Sequence, residues 1–120
     1  MNAIGVDIIE IDRIGTAVER WGAHFLEKVY TTDEINACRK RIPSLASRFA
    51  AKEAIMKVLG SGAGEIAWRE IEILADASGK PLVRLHGKAR ERACEAHFKG
   101  FSVSLSDSKQ YAIAAALGEK

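Results

Sequence analysis

Arg48-Phe49-Ala50-Ala51-Lys52-Glu53-Ala54-Ile55-Met56-Lys57, running into Gly60-Ser61-Gly62-Ala63-Gly64, is the stretch whose reading decides the fold. Good helix formers fill it, no proline interrupts it, and Ser44 directly after Pro43 offers a start. It therefore predicts a long helix closed by a glycine-rich turn. At about 100° per residue, Leu45, Phe49, Met56 and Leu59 fall on one stripe, the face for a core. Glu53 and Lys57 sit one turn apart on another flank, beside small Ala46 and Ala50, so something can approach the backbone closely there. Lys52 falls inside the apolar stripe, which predicts a side chain that snorkels to solvent, a phosphate or another subunit.

Working outward toward the N-terminus, Ala3 to Ile9 reads as a short buried strand broken by Asp7. Asp12 caps a helix through about Arg20, with Ile14, Ala17 and Val18 inward. A short helical piece spans His24 to Val29. Thr31-Thr32-Asp33-Glu34 supplies the cap and first-turn acids of a helix to about Lys40, and Pro43 separates it from the long helix. Toward the C-terminus the period changes. Trp68 to Leu74 alternates, Ala75 to Lys80 turns, and Pro81 to His86 returns. A polar helix from Lys88 to about His97 turns its alanines and Cys94 to the sheet. Phe101 to Ser106 and Tyr111 to Leu117 are the last two strands. Helices first and antiparallel hairpins later predict an α+β fold.

A chain of 120 residues with 48% hydrophobic residues predicts one domain over 1–120 with a modest core. So small a chain leaves little room for a deep private cleft, which favours a site shared between subunits. The net charge of +2 is too small to argue for nucleic acid. Its distribution is uneven: Arg39 to Lys57 holds six bases against one acid, whereas Met1 to Glu34 holds seven acids against three bases. That zone suits an acidic partner or phosphates, or else a solvated helix face. Cys38 and Cys94 form no CxxC pair, so neither a zinc site nor a disulfide framework is expected, in keeping with a reducing compartment. The opening Met1 to Asp7 lacks a basic segment, and no apolar run approaches a membrane span of about 20 residues. A soluble, cytoplasmic protein is expected.

Asp7 is a carboxylate within an apolar strand, costly to bury unless it is paired or ligates a cation. Glu53 and Lys57 taken alone read as an ordinary i,i+4 helix pair contributing only about 0.2–0.5 kcal/mol. Together with Asp7 they describe something else. Two carboxylates can hold Mg²⁺ and leave positions for phosphate and water, and a lysine one turn away can bind that phosphate. Gly60 to Gly64 allows backbone N–H groups to approach an anion, although it lacks the Walker pattern and also serves as a helix C-cap. Ser104 and Ser106 share a strand face and either donate to phosphate or face solvent. The three histidines show no metal-ligand spacing.

These residues resemble a family. Gly5-Val6-Asp7-Ile8-Ile9-Glu10-Ile11-Asp12-Arg13-Ile14, Tyr30-Thr31-Thr32-Asp33-Glu34, the Arg48 to Lys57 stretch, Ile71-Glu72-Ile73, Gly79-Lys80-Pro81, Ser102 to Ser106 and Tyr111-Ala112-Ile113-Ala114 follow one another as in the bacterial holo-[acyl-carrier-protein] synthases, the short 4′-phosphopantetheinyl transferases. The resemblance implies that family's fold, helices on a small antiparallel sheet, and a homotrimer with interfacial sites. It implies transfer of phosphopantetheine from coenzyme A to a serine of apo acyl carrier protein, releasing adenosine 3′,5′-bisphosphate. By position Asp7 and Glu53 would ligate Mg²⁺ and Lys57 would contact the pyrophosphate. Arg48, Gly60, Ser61, Gly62, Gly64, Pro81, Ser104, Ser106 and Asp107 would line the coenzyme pocket, and Arg13, Arg20, Arg39 and Arg41 would meet the acidic carrier. One position departs from the family: Asp107 stands where histidine is usual, and an ionised aspartate only accepts hydrogen bonds and repels phosphate. A non-catalytic module that binds coenzyme A or nucleotide, or a pure docking domain, are the alternatives. The general base is unassigned.

Overall fold

The computed structural model describes residues 1–60 and 65–120. In chain order the elements are β1 (Ala3–Glu10), α1 (Ile11–Trp21), α2 (Ala23–Val29), α3 (Thr32–Cys38), α4 (Ile42–Leu59), a 3₁₀ turn (Trp68–Glu70), β2 (Ile71–Ala75), β3 (Pro81–Leu85), α5 (Gly87–Glu95), β4 (Gly100–Asp107) and β5 (Tyr111–Glu119). The α+β expectation holds. β1, β5 and β4 form an antiparallel sheet in that order, with β5 central, and β2 and β3 form a separate hairpin.

Helix α4 crosses one face of the three-stranded sheet, and that face is built for close approach. Ala112, Ala114 and Ala116 of β5 are buried beneath it, as are Ala50, Ala51 and Ala54 of the helix. The register places Gly5 opposite Ala116 and Asp7 opposite Ala114, so both belong to the helix-facing side of β1. A methyl group on Gly5 would lie 3.1 Å from the carbonyl carbon of Ala54 and 3.1 Å from a Val58 methyl. The small-residue flank of α4 therefore meets the sheet, where a ligand was one expected occupant.

The boundaries differ from expectation in instructive ways. Pro43 does not precede α4 but lies in its first turn, where its missing N–H has no intrahelical partner to lose. Asp12 is in the first turn of α1 while Glu10 occupies the cap position. Thr31 and Glu34 do form a reciprocal capping box on α3, but that helix stops at Cys38 because Arg39 and Lys40 take left-handed backbone conformations. Trp68 to Glu70 is not strand. The Glu70 carboxylate accepts the backbone N–H of Ala67 (2.7 Å) and of Lys88 (2.6 Å), curling the segment into a turn and anchoring the start of α5. On α5, Ala89 and Ala93 face inward as expected, whereas Cys94 is exposed.

Lys52 corrects the snorkelling expectation. It is fully buried, its ammonium 2.7 Å from Glu34 Oε1, and it also donates to the carbonyls of Trp68 (3.1 Å) and Ile71. Burial pulls its pKa down while Glu34 opposes that fall. Three acceptors take its three protons, as a buried ammonium requires, and removing one partner of such a pair costs about 3–5 kcal/mol.

Candidate active site

The opening of β1 and the second half of α4 bring together three residues from distant parts of the chain. Lys57 donates from Nζ to the Val6 carbonyl at 2.8 Å and to Asp7 Oδ1 at 3.3 Å. Its side chain is 56% exposed and that of Asp7 17%, so the ammonium can reach a ligand while the carboxylate is held in place. Among the described ion pairs Lys57 joins Asp7, not Glu53. Glu53 is left facing Asp7 across the cleft. Burial, followed by the charge of Asp7, raises its carboxyl above the ordinary value, and Lys57 only partly offsets this.

Asp7 and Glu53 line a cleft of about 410 Å³ whose remaining wall is Ile8, Ile9, Arg13, Ile14, Ala17, Trp21, Phe25 and Phe49. Phe49 stacks on Trp68 with ring centroids 4.7 Å apart, which fixes one wall. The cleft thus has a charged floor and an apolar side. Its aromatic lining was not singled out from the sequence, although Phe49 lies one turn before Glu53 on α4 and so faces the same way.

Two oxygen donors whose like charges face one another suit a hard divalent cation, which relieves the repulsion. Among the described residues no group of three or more His, Cys, Asp or Glu side chains is placed to hold a metal. The pair therefore fits a cation completed by substrate phosphate and water, the usual habit of Mg²⁺.

A second cleft, of about 360 Å³, lies at the opposite flank of α4, lined by Ser44, Ser47, Arg48, Leu105, Ser106 and Asp107. Arg48 is tethered there, its Nε donating to the Ile73 carbonyl at 3.2 Å. Ser44 and Ser47 were missed as candidates. Ser104 and Ser106 are exposed on the sheet face that α4 does not cover. Within one chain Arg48 and Asp107 are thus not assembled with Asp7, Glu53 and Lys57. Helical geometry accounts for this: nine residues separate Arg48 from Lys57, about 900° of rotation, which places them on opposite sides.

The other expected site residues fall as follows. Gly60 is the left-handed C-cap of α4, with φ 73°, and its N–H returns to the Met56 carbonyl at 3.0 Å. Ser61, Gly62 and Gly64 lie outside the described residues. Pro81 opens β3 opposite Ala75 and lines neither cleft. Arg13 and Arg20 are exposed on α1, Arg13 at the cleft wall and Arg20 over the Trp21 ring at 5.6 Å. Arg39 is exposed after α3. Arg41 is engaged in ending that helix, donating to the carbonyls of Cys38 (3.1 Å) and Ala37 (3.4 Å).

Comparison with known proteins finds relatives over nearly the whole chain. Residues 3–116 match the family described as the 4′-phosphopantetheinyl transferase superfamily. A holo-[acyl-carrier-protein] synthase of Herpetosiphon aurantiacus is 51% identical, the match covering 98% of each chain. The crystal structure of Helicobacter pylori holo-[acyl-carrier-protein] synthase in complex with coenzyme A superposes with a TM-score of 0.89 at 33% identity, covering 97% of this chain and 99% of that one. The Neisseria meningitidis holo-[acyl-carrier-protein] synthase has the same TM-score and identity, covering 98% of each chain. The chain belongs to the holo-[acyl-carrier-protein] synthases, enzymes of the 4′-phosphopantetheinyl transferase superfamily.

Proposed function

We propose that the protein transfers 4′-phosphopantetheine from coenzyme A to a serine of apo acyl carrier protein with Mg²⁺, releasing adenosine 3′,5′-bisphosphate. Asp7 and Glu53 lining one cleft, with the Lys57 ammonium 3.3 Å from Asp7 Oδ1, carry this reading. Asp7 and Glu53 would hold the cation, which when bound supplies charge neutralisation at the pyrophosphate. Lys57, pinned by the Val6 carbonyl, presents its ammonium to the same phosphates and stabilises the charge that grows on the departing bisphosphate. The nucleophile is the carrier's serine hydroxyl, so the chain needs none of its own. Arg13 on the wall and Arg20 beyond it offer cations to an acidic carrier.

The reading includes a homotrimer with sites between subunits. The sheet face away from α4 is apolar and uncovered, with Ile4 74%, Val6 53%, Ile8 58% and Ile113 42% exposed. The two clefts lie on opposite flanks of α4, so a head-to-tail ring brings the carboxylate cleft of one copy toward the Arg48 cleft of the next. Gly60 and its successors, Pro81, Ser104, Ser106 and Asp107 belong to the proposed coenzyme pocket in that assembly. Both cysteines are free, and no helix among the described residues is long and apolar enough to cross a membrane, in keeping with a cytoplasmic setting.

The test is direct. Incubation with coenzyme A, Mg²⁺ and an apo carrier protein should increase the carrier's mass by one phosphopantetheine group, and EDTA should prevent it. Coenzyme A binding without transfer would favour the non-catalytic module, and neither would leave only docking.

A further inference from the structure

Three segments singled out in the sequence have no part in the chemistry above: Thr31 to Glu34, Lys52, and Ile71-Glu72-Ile73. They meet in one place. The edge of β2 that does not pair with β3 would expose unpaired backbone groups, and side chains complete it in place of a strand. Lys52 donates to the Ile71 carbonyl, Glu34 Oε2 accepts the Ile73 N–H at 3.0 Å, and Arg48 donates to the Ile73 carbonyl at 3.2 Å. Lys52 and Glu34 are themselves joined at 2.7 Å, and both are fully buried.

We infer that Lys52 and Glu34 are positioning residues that set the rotation and axial placement of α4, and thereby aim Glu53 at Asp7. The inference rests on the metal reading of that carboxylate pair. Its reason is mechanical. Where α4 meets the sheet it presents Ala50, Ala54 and Val58 to Gly5, Ala114, Ala116 and Gly118, mostly small groups that offer few directional contacts to fix its rotation. Glu53 and Asp7 repel one another in the absence of a cation, and Lys57, which ties the helix to Val6 and Asp7 of β1, offsets that repulsion only in part. Directional hydrogen bonds on another flank can fix that rotation. Lys52 is the residue immediately before Glu53, so a given rotation at its ammonium is transmitted to the carboxylate without intervening flexible chain. Its contact with the Trp68 carbonyl also steadies the ring that stacks on Phe49, a wall of the same cleft.

Charge-conserving variants provide the test, because they keep the buried pair compensated and so retain the fold. In Lys52→Arg and Glu34→Asp, Mn²⁺ titrated by calorimetry into the full chain saturated with coenzyme A should bind about tenfold more weakly, the size of effect typical of residues that orient metal ligands. The transfer rate constant should fall in parallel, with KM for the carrier unchanged. Ile73→Val loosens the same region through its side chain while leaving the backbone hydrogen bonds, and should bind Mn²⁺ as the parent does. Wild-type Mn²⁺ affinity in both folded charge-conserving variants would overturn the inference, as would an equal loss in Ile73→Val. Asp7→Asn is the separating control. Unchanged Mn²⁺ binding there overturns the metal reading, and the inference with it, whereas loss there beside normal binding in Lys52→Arg and Glu34→Asp overturns positioning alone.

Discussion

Replacing Gly5 by alanine should damage the enzyme through geometry alone, since no functional group is removed. The new methyl would lie 3.1 Å from the carbonyl carbon of Ala54, with its oxygen nearer still, and 3.1 Å from Val58 Cγ2. Optimal carbon–carbon separation is about 3.5–4.0 Å, so α4 and β1 must part by at least about half an ångström. The obstructing group is helix backbone, which cannot turn aside as a side-chain end can. Overpacking of this kind costs about 1–3 kcal/mol, and a rigid obstruction belongs at the upper end. At about 4 °C per kcal/mol for a chain of this size, the melting temperature should fall by roughly 10 °C. Asp7 lies two residues along on the same face of β1, so the parting also separates it from Glu53 and Lys57. Misplacement of reacting groups by about an ångström can cost 10²-fold, and a loss of between about ten- and a hundredfold in transfer rate is expected. Thermal melting by circular dichroism and carrier mass analysis below the lowered melting temperature measure the two effects. A variant that melts within about 2 °C of the parent and transfers at its rate would refute the close approach of β1 and α4 and the dependence of the site on it.

Four further outcomes follow from the same structure. Glu53→Gln should abolish Mg²⁺-dependent transfer yet stabilise the chelated protein above the ordinary carboxylate range, by less than about 1 kcal/mol once solvent screening is allowed for. The raised carboxyl makes the native state hold more proton than the unfolded one between the ordinary and the raised value, so parental stability falls as pH rises through that window. Melting curves at pH 4 and pH 8 with EDTA check this, the variant exceeding the parent only at the higher pH. Lys57→Ala should change stability by less than about 1 kcal/mol, because the ammonium end of its pair with Asp7 is exposed and screened by solvent, while lowering the transfer rate constant about 10²–10³-fold. Asp107→His should preserve or strengthen coenzyme A binding in titration calorimetry, whereas a clear loss would show that the carboxylate serves the pocket. On the homotrimer proposed above, Val6→Lys, on the uncovered sheet face, should reduce the sedimenting mass from trimer to monomer, and a parent that sediments as a monomer would refute that assembly.

Much of the architecture was legible in the chain because it depends on local periodicity. The run from Leu45 to Leu59 has no helix breaker, and it is helix; the alternation of Phe101 to Ser106 puts its serines on one face, and they share it. The separation of Arg48 from Lys57 was also available, since it follows from counting residues around a helix. It was obscured because proximity in a motif suggests proximity in space. The turn at Trp68 was not legible. Its cause is the Glu70 carboxylate reaching the backbone of Lys88, a contact no window of neighbouring residues contains.

Lys52 and Asp7 show where the division lies. Side-chain type and spacing alone determined that α4 would carry a carboxylate and an ammonium one turn apart, and that a charged residue would interrupt each apolar pattern. Whether each charge was buried, and against what, depended on groups far along the chain. Glu34 is 18 residues from Lys52, and Asp7 is 50 from Lys57. A charge in an apolar stripe has two outcomes, escape to solvent or burial with a complete set of partners, and only folded geometry selects between them. The same holds for the Glu53–Lys57 pair. Spacing offered a helix-surface ion pair, but β1 passes close enough for its Val6 carbonyl and Asp7 to take the ammonium, leaving Glu53 facing a second carboxylate. Short-range covalent geometry determines which residues can share a face. The desolvation and electrostatics that set their chemical state are properties of the packed molecule.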